Sequence, residues 1–303
     1  MNNNKEKRLS HTAFAAGAAS VIFAVIYIVL LSVYYEKDTQ FFKYGAFLPN
    51  AFLYLTFFIA AAFIVIGFSD KSAAGFDAKY NRQTPFMVFG SVLSGLLLLV
   101  SAVNEIFSFI NPSESAMEQK IRIAETVSEN SAPFDLTIPI IIFSIISVVF
   151  FILQPFKPKF RLLGIAFIIR MALYVVQGYF SKASPLNSPV RIMDQMSCIL
   201  IMIYFVYDVR FIVGEGRPKH YLTFAPAAIF VTGVSAIGKV VCTFTGLFEF
   251  NGNTYSAMFR FAIFAYMLSR YLPYVMSGKY GPIPEKKTAE DKKQEIPDGG
   301  TDD

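Results

Sequence analysis

Residues 160–214 decide the fold, and they read FRLLGIAFIIRMALYVVQGYFSKASPLNSPVRIMDQMSCILIMIYFVYDVRFIVG. Two apolar runs, 160–180 and 192–214, flank the polar segment 181–191. Each run is long enough to cross the roughly 30 Å hydrocarbon core of a bilayer as an α-helix. The stretch therefore predicts a pair of membrane-spanning helices.

Arg170 lies near the middle of the first run, at the depth where a bilayer tolerates charge least. A central arginine costs about 2.5–3.5 kcal/mol on membrane-insertion scales, so Arg170 is expected to face the interior of a helix bundle. Helical spacing places Tyr174, Gln177 and Ser181 on the same face. This pattern predicts a polar stripe that runs from the centre of the helix to its outer end.

The second run carries two carboxylates on one helical face, Asp194 and Asp208, with Ser197, Ile201 and Tyr204 between them. At the rise of an α-helix, the two acids lie about 21 Å apart along the axis. One acid is therefore predicted near each end of the helix. At the inner end we interpret Asp208 and the nearby Arg210 as a local clamp, echoed by the pair 70–71 after the second apolar run.

The composition of the chain excludes an ordinary soluble protein. Of its 303 residues, 54% are hydrophobic and only 16% are charged, and the mean hydropathy is +0.48. Soluble domains average about 25% charged residues. The class indicated is an all-α, polytopic integral membrane protein.

Eight apolar runs of about 20 residues predict eight transmembrane helices, at about 14–34, 47–68, 86–109, 136–153, 160–180, 192–214, 221–248 and 255–274. Between the fourth and fifth runs, Pro155 and Pro158 predict a hairpin turn rather than one long helix. Residues 1–12 are expected to form a cytoplasmic segment, 13–280 the transmembrane domain, and 281–303 a disordered cytoplasmic tail.

The distribution of Lys and Arg predicts that both termini are cytoplasmic. With this orientation, every inner segment carries at least three basic residues and no outer loop carries more than two. Cytoplasmic loops of membrane proteins have this excess. The sequence pI of about 9.0 therefore reflects topology, and nucleic acid is not an expected partner. The short loops favour a bacterial plasma membrane.

The longest outer loop contains a predicted amphipathic helix at about 116–128, which begins with a capping box and continues with apolar residues at helical spacing. Such a helix lies on the membrane surface or covers the outer end of the bundle. Cys198 and Cys242 fall within predicted spans and have no neighbouring cysteine, so we interpret them as packing residues.

No catalytic motif is found in the sequence, and we expect neither an enzyme nor a cofactor or metal site. The HExxH, GxSxG and Walker A patterns are missing. The only histidines, His11 and His220, fall at predicted cytoplasmic helix ends. No motif points to a family of known activity.

Ionisable residues within the predicted spans are the most informative feature. Glu105 and Asp194 are two acids, whereas Arg170, Lys239 and Arg260 are three bases, all at mid-depth or in the outer half. Unpaired charges in hydrocarbon are costly, so mutual pairing is expected. If each acid neutralises one base, one positive charge remains. That charge would suit an anionic group entering from outside.

Two functional hypotheses follow from this pattern. The leading one is a small carrier or lipid-interacting permease, in which Arg170, Lys239 and Arg260 attract an anionic small molecule or lipid headgroup. Glu105 and Asp194 would tune these bases, and Gln177 would line the same polar cavity. The alternative is a non-transporting membrane subunit, a scaffold or sensor that binds a membrane protein partner. An intramembrane enzyme ranks third.

Overall fold

The apolar runs fold into helices. The computed structural model describes residues 3–36, 41–43, 45–69, 84–111, 136–180, 188–213, 216–247 and 252–277. About 90% of these residues are helical, and they contain no strand. Within these ranges the structure has eight α-helices: α1 (Asn3–Tyr34), α2 (Phe47–Ser69), α3 (Pro85–Ile110), α4 (Thr137–Leu153), α5 (Gly164–Phe180), α6 (Pro189–Val213), α7 (Pro218–Phe244) and α8 (Gly252–Ser277).

Six of these helices are long and apolar enough to cross a membrane: α1 from Thr12, α2, α3, α5 with the residues just before it, α6 and α7. They indicate a multi-pass membrane protein. The other two predicted spans are also helical, but α4 has only 17 residues and α8 carries Arg260 and Arg270. Eight membrane crossings and the orientation of the termini therefore stay predictions.

The surface of the bundle is apolar in the way that lipid contact requires. Phe47 and Phe86 are each 79% exposed, and Tyr54 and Phe58 are each 72% exposed. Soluble proteins rarely expose contiguous apolar surface on this scale. A hydrocarbon environment removes the cost of this exposure.

The predicted break between the fourth and fifth runs is observed. Helix α4 ends at Leu153, and a 3₁₀ helix spans Pro158–Leu163 before α5 begins at Gly164. Proline has no backbone N–H to donate, so Pro155 and Pro158 favour a turn here. Helices α4 and α5 consequently pack side by side.

Three sequence predictions lie wholly or partly outside the described residues: the amphipathic helix at 116–128, the tail at 281–303 and the acid–base pair at 70–71. At the other end of the chain, α1 begins at Asn3. Helix α1 therefore extends ahead of its membrane-length part, which begins at Thr12, and the cytoplasmic location of residues 1–12 stays a prediction.

Helix α7 is the centre of the bundle. It packs against α1, α2, α6 and α8, and 72% of its apolar window is buried, compared with at most 50% in the other five membrane-length helices. Contacts of α3 with α4 and α8, of α5 with α4 and α6, and of α7 with α6 and α8 close a ring of six helices. Helices α1 and α2 pack on the outside of α7.

Small residues allow close packing where side chains of one helix meet the backbone of the next. Gly67 of α2 faces the backbone of Thr223 in α7, and Gly90 of α3 faces the backbone of Tyr266 in α8. Lipid offers no hydrophobic drive for helix association, so close van der Waals packing must supply it. Gly67 and Gly90 therefore serve helix packing within the chain.

Aromatic rings fill the middle of the six-helix ring. We call this set the aromatic layer: Phe151 of α4, Phe167 of α5, Phe205 of α6, and Phe259 and Tyr266 of α8. The centroid of Phe151 lies 4.9 Å from Phe167, 5.7 Å from Phe205 and 5.8 Å from Tyr266. All five side chains are at most 1% exposed. Such packing excludes water from the centre of the ring.

A glycine substitution tests the packing of α1 on α7. A Cβ atom at Gly233 would lie 2.6 Å from Ser20 Cβ and 2.7 Å from Phe264 Cε2. We expect Gly233→Ala to lower the free energy of unfolding by about 1–3 kcal/mol through overpacking, although alanine favours helices by about 1 kcal/mol. Thermal unfolding in mild detergent measures the change.

Gly178→Ala is the matched control, because the nearest atom to its added Cβ is Gln195 Nε2 at 3.8 Å. It should leave the stability unchanged or raise it. Equal losses in both variants would contradict the close approach of α1 to α7.

Candidate functional site: two charged clusters inside the helix ring

Charged side chains from five helices form what we call the outer cluster: Glu105, Arg170, Asp194, Lys239 and Arg260. The words outer and inner follow the predicted orientation of the chain. Its centre is Asp194 on α6, whose Oδ1 lies 2.8 Å from Arg260 Nη1. Lys239 Nζ donates to Oδ2, and Ser235 Oγ donates to Oδ1 over 3.0 Å. One carboxylate thus serves two cations.

Helical spacing explains how α7 and α8 present these groups. Ser235 and Lys239 are four residues apart on α7, so they lie on one face and reach the same carboxylate. On α8, Arg260 Nε donates to the Ser256 carbonyl over 3.3 Å, which directs the guanidinium into the six-helix ring. The Nη1 of Arg260 thereby reaches the carboxylate of Asp194 on α6.

Arg170 of α5 is the third base of the outer cluster, and its side chain is only 2% exposed. Its Nε donates to Ser144 Oγ over 2.7 Å, and its Nη2 lies 3.4 Å from Glu105 Oε1. The guanidinium carbon also lies 5.1 Å from the centre of the Phe259 ring, within the range of a cation–π contact. Arg170 therefore faces the interior, as the cost of exposing it to lipid requires.

Gln177 lies apart from this cluster, and the predicted stripe divides after Tyr174. The side chain of Gln177 donates to Thr137 Oγ1 over 3.2 Å, which links α5 to the start of α4. Tyr174, one helical turn earlier, stays with the cluster, since its hydroxyl lies 3.4 Å from Ser256 Oγ. Ser181 is outside the described residues.

Tyr27 of α1 is a member of this neighbourhood that the sequence did not reveal. Its ring packs against Gly238, next to Lys239. Its hydroxyl is buried and has no hydrogen-bond partner among the described residues, and the same is true of Glu105 Oε2. Buried polar groups without partners are rare and call for an explanation.

Three side chains of the outer cluster are partly exposed. The side chains of Lys239 and Asp194 are 15% and 19% exposed, and that of Glu105 is 23% exposed. Tyr35, one residue beyond α1, lies within electrostatic range of Asp194. Burial and then the Asp194 carboxylate raise the pKa of Tyr35, so its hydroxyl remains protonated at neutral pH.

A second group of polar side chains, which we call the inner cluster, lies on the other side of the aromatic layer: Ser91, Gln154, Asp208 and Arg270, joined by the hydroxyl of Tyr266 from the layer itself. Arg270 Nε donates to Asp208 Oδ1 over 3.0 Å, and the Tyr266 hydroxyl donates to Oδ2 over 2.9 Å. Gln154 Nε2 donates to both Tyr266 and Ser91 over 3.1 Å. Asp208 is fully buried and Arg270 is 3% exposed.

The local clamp between Asp208 and Arg210 is not observed, because the carboxylate pairs with Arg270 of α8. Residues two positions apart on a helix point to different sides, so Asp208 and Arg210 do not face each other. A sequence signal for the true pair existed. The order Asp194 then Asp208 on α6 matches the order Arg260 then Arg270 on α8, which suits two helices running in the same direction.

The aromatic layer separates the two clusters and contacts both. On the outer side of the layer, Phe259 contacts the guanidinium of Arg170. On the inner side, the Tyr266 hydroxyl donates to Asp208. The two rings belong to the same helix, α8. A shift of this helix would therefore change contacts in both clusters.

No protein family, no curated protein and no solved structure matches this chain. The chemistry of the site must be argued from its own residues. Within the described ranges there is no group of three or more His, Cys, Asp or Glu side chains that could hold a metal ion, and both cysteines are buried thiols. What the outer cluster offers is positive charge and hydrogen-bond donors.

Substitutions of the two outer carboxylates test their unequal roles, because Asp194 pairs with two cations and Glu105 pairs with one. Asp194→Asn leaves two buried cations without a partner charge, so we expect it to cost about 3–5 kcal/mol of stability. Glu105→Gln removes one longer, more exposed pair and leaves Arg170 its hydrogen bond to Ser144, so it should cost less, about 1–3 kcal/mol. Chemical unfolding in mild detergent compares them. A larger loss in Glu105→Gln would contradict the central position of Asp194.

Proposed function

We propose that this protein is a small membrane carrier or lipid-interacting permease whose outer cluster binds a singly charged anionic group. That group belongs either to the headgroup of an acidic phospholipid or to a small free anion. The cluster offers charge and hydrogen-bond donors rather than a shape specific to one molecule, so its ligand is defined by charge.

The observation that carries the proposal is the sharing of Asp194 by Lys239 and Arg260. With Glu105 opposite Arg170, the five ionised side chains of the outer cluster sum to one positive charge. Uncompensated charge is costly where water is scarce. A bound anion with one negative charge would neutralise the cluster.

A hydrogen-bond donor supports the same ligand class. The Tyr27 hydroxyl is buried and has no hydrogen-bond partner in the described residues. An anion is an acceptor and would satisfy this donor. Bonds between such donors and a charged acceptor are stronger than bonds between neutral groups.

The residues of the outer cluster then have distinct roles. Lys239 and Arg260 attract the anion, and Asp194 holds both cations in place when no anion is bound. Ser235 fixes the Asp194 carboxylate from α7. Arg170 is anchored by Ser144 and Glu105, so it contributes positive potential rather than a mobile ligand.

A non-transporting membrane subunit is the second candidate, and one observation favours it. Glu105, Asp194 and Asp208 each have a cationic partner from another helix. A fully paired network needs no ligand to be stable. Such a subunit would bind its partner protein stoichiometrically, whereas a carrier would purify with lipid or a small anion.

Neutralising Lys239 tests the role of charge. In neutral detergent, short-chain phosphatidylglycerol or inorganic phosphate should raise the unfolding temperature of the wild-type chain, because a ligand that binds only the folded state stabilises it. Lys239→Gln should weaken this binding about tenfold or more, since a charged hydrogen bond contributes about 1.5–3 kcal/mol.

Lys219→Gln is the control, because Lys219 lies on the same helix with an exposed side chain and should behave like the wild type. A response to phosphatidylglycerol alone would identify a lipid headgroup, and a response to phosphate would identify a free anion. Equal binding by Lys239→Gln and the wild type would contradict the proposal.

Removing the hydroxyl of Tyr27 separates ligand binding from folding. Since this hydroxyl has no hydrogen-bond partner among the described residues, Tyr27→Phe should not reduce stability. We expect it to weaken binding of the effective probe about tenfold. Tyr54→Phe, on the lipid-facing surface at 72% exposure, should change neither quantity. Unchanged affinity in Tyr27→Phe would remove Tyr27 from the site.

A further inference from the structure

The carboxylate of Glu105 has one oxygen that the described part of the chain does not use. Arg170 Nη2 and the Ser101 hydroxyl both approach Oε1, each at 3.4 Å. Oε2 is buried and accepts no hydrogen bond from the described residues. A carboxylate oxygen is a strong acceptor, and leaving a buried one without a donor is costly. Glu105 therefore presents an unused acceptor within the outer cluster.

This acceptor lies at a similar depth to the groups around Asp194. Glu105 is five residues before the last residue of α3, and Lys239 is five residues before the last residue of α7. Asp194 is five residues after the first residue of α6. At the rise of an α-helix, each of the three lies about 7–8 Å from its helix end.

The packing of the helices also brings Glu105 close to the cations of the proposed anion site. Helix α8 packs against both α3 and α7, so the helix of Arg260 lies between those of Glu105 and Lys239. Arg170, the partner of Glu105, lies within electrostatic range of Arg260. A ligand held by Lys239 and Arg260 can consequently place a second polar group at Glu105.

Charge balance decides which kind of donor suits Oε2. The five ionised side chains of the outer cluster sum to one positive charge, which one anionic group neutralises. An ammonium group on the same ligand would cancel that negative charge and leave the cluster positive. A hydroxyl donates a hydrogen bond and leaves the charge balance unchanged. Because uncompensated charge is costly in this environment, a hydroxyl is the better donor.

We infer that Glu105 binds a hydroxyl group of the ligand, so that the outer cluster selects a singly charged anion that also carries a hydroxyl. This inference rests on the proposed function and narrows its ligand class. Lys239, Arg260 and Tyr27 bind the anionic group, and Glu105 Oε2 accepts from the hydroxyl. The phosphoglycerol headgroup of a lipid and a small free hydroxycarboxylate both have this chemistry.

Pairs of probes that differ in their hydroxyl groups test the inference. Short-chain phosphatidylglycerol is compared with short-chain phosphatidylmethanol, which has the same single charge but no headgroup hydroxyl. Glycerate is compared with propionate in the same way. Isothermal titration of the full chain in neutral detergent measures each Kd. A preference within the lipid pair identifies a headgroup, whereas a preference for glycerate identifies a free anion.

We expect the wild-type chain to bind the hydroxyl-bearing member of one pair about tenfold more tightly. Glu105→Gln should abolish this preference. Its carbonyl oxygen stays with Arg170 and Ser101, so an amide nitrogen, which donates, replaces Oε2. The substitution adds positive charge and strengthens binding of both probes, but the ratio of their Kd values is insensitive to this effect. Glu36→Gln, the same change at an exposed acid outside the cluster, should keep the preference.

Equal affinities for both members of each pair in the wild type would overturn the inference and leave the anion site in place, since water would then serve Oε2. This comparison needs no variant, so it decides even if Glu105→Gln fails to fold. A preference that persists in Glu105→Gln would remove Glu105 from hydroxyl recognition. Tighter binding of short-chain phosphatidylethanolamine than of phosphatidylglycerol would overturn the choice of a hydroxyl over an ammonium. No binding of any probe would overturn both the anion site and this inference.

Discussion

Charges inside this helix ring must be paired by other helices, because neither lipid nor the aromatic core can solvate them. This constraint determines which helices are neighbours in the ring. Asp194 joins α6 to α7 and α8, Asp208 joins α6 to α8, and Glu105 joins α3 to α5. A change in the relative position of these helices would separate charges in a medium of low dielectric constant. The pairs therefore specify which helices are neighbours, more than they add to the net stability.

Packing supplies what the ion pairs do not. Lipid is as apolar as the helices, so contacts between helices must be close to be favourable. Gly67, Gly90 and Gly233 allow this at three interfaces. The aromatic layer fills the centre of the ring and contacts a charged side chain on each side. The result is a bundle with two polar clusters and a dry barrier between them.

Much of this fold follows from the sequence, because length and hydropathy decide where helices form in a membrane protein. All eight apolar runs are helical, and the prolines after α4 mark a real break. The interior position of Arg170 also followed from the cost of exposing it. Six crossings are supported by length and composition, whereas α4 and α8 are too short or too polar to meet the same criterion.

The pairing of charges was less predictable, because it depends on which helices are adjacent in the ring. The sequence suggested that each outer acid would neutralise one base, but Asp194 takes two and Glu105 takes one. Asp208 was assigned to Arg210, and its partner is Arg270. Gln177 shares a helical face with Arg170, yet it bonds to Thr137 on another neighbour. Tyr27 could not have been found, since only the packing of α1 on α7 brings it to the site.

The most direct test of the central claim is native mass spectrometry of the protein in nanodiscs, for the wild type and Lys239→Gln. The account predicts that the wild type retains an acidic phospholipid or small anion that Lys239→Gln releases. A wild-type chain with no bound anion, or with a stoichiometric second protein in its place, would contradict it.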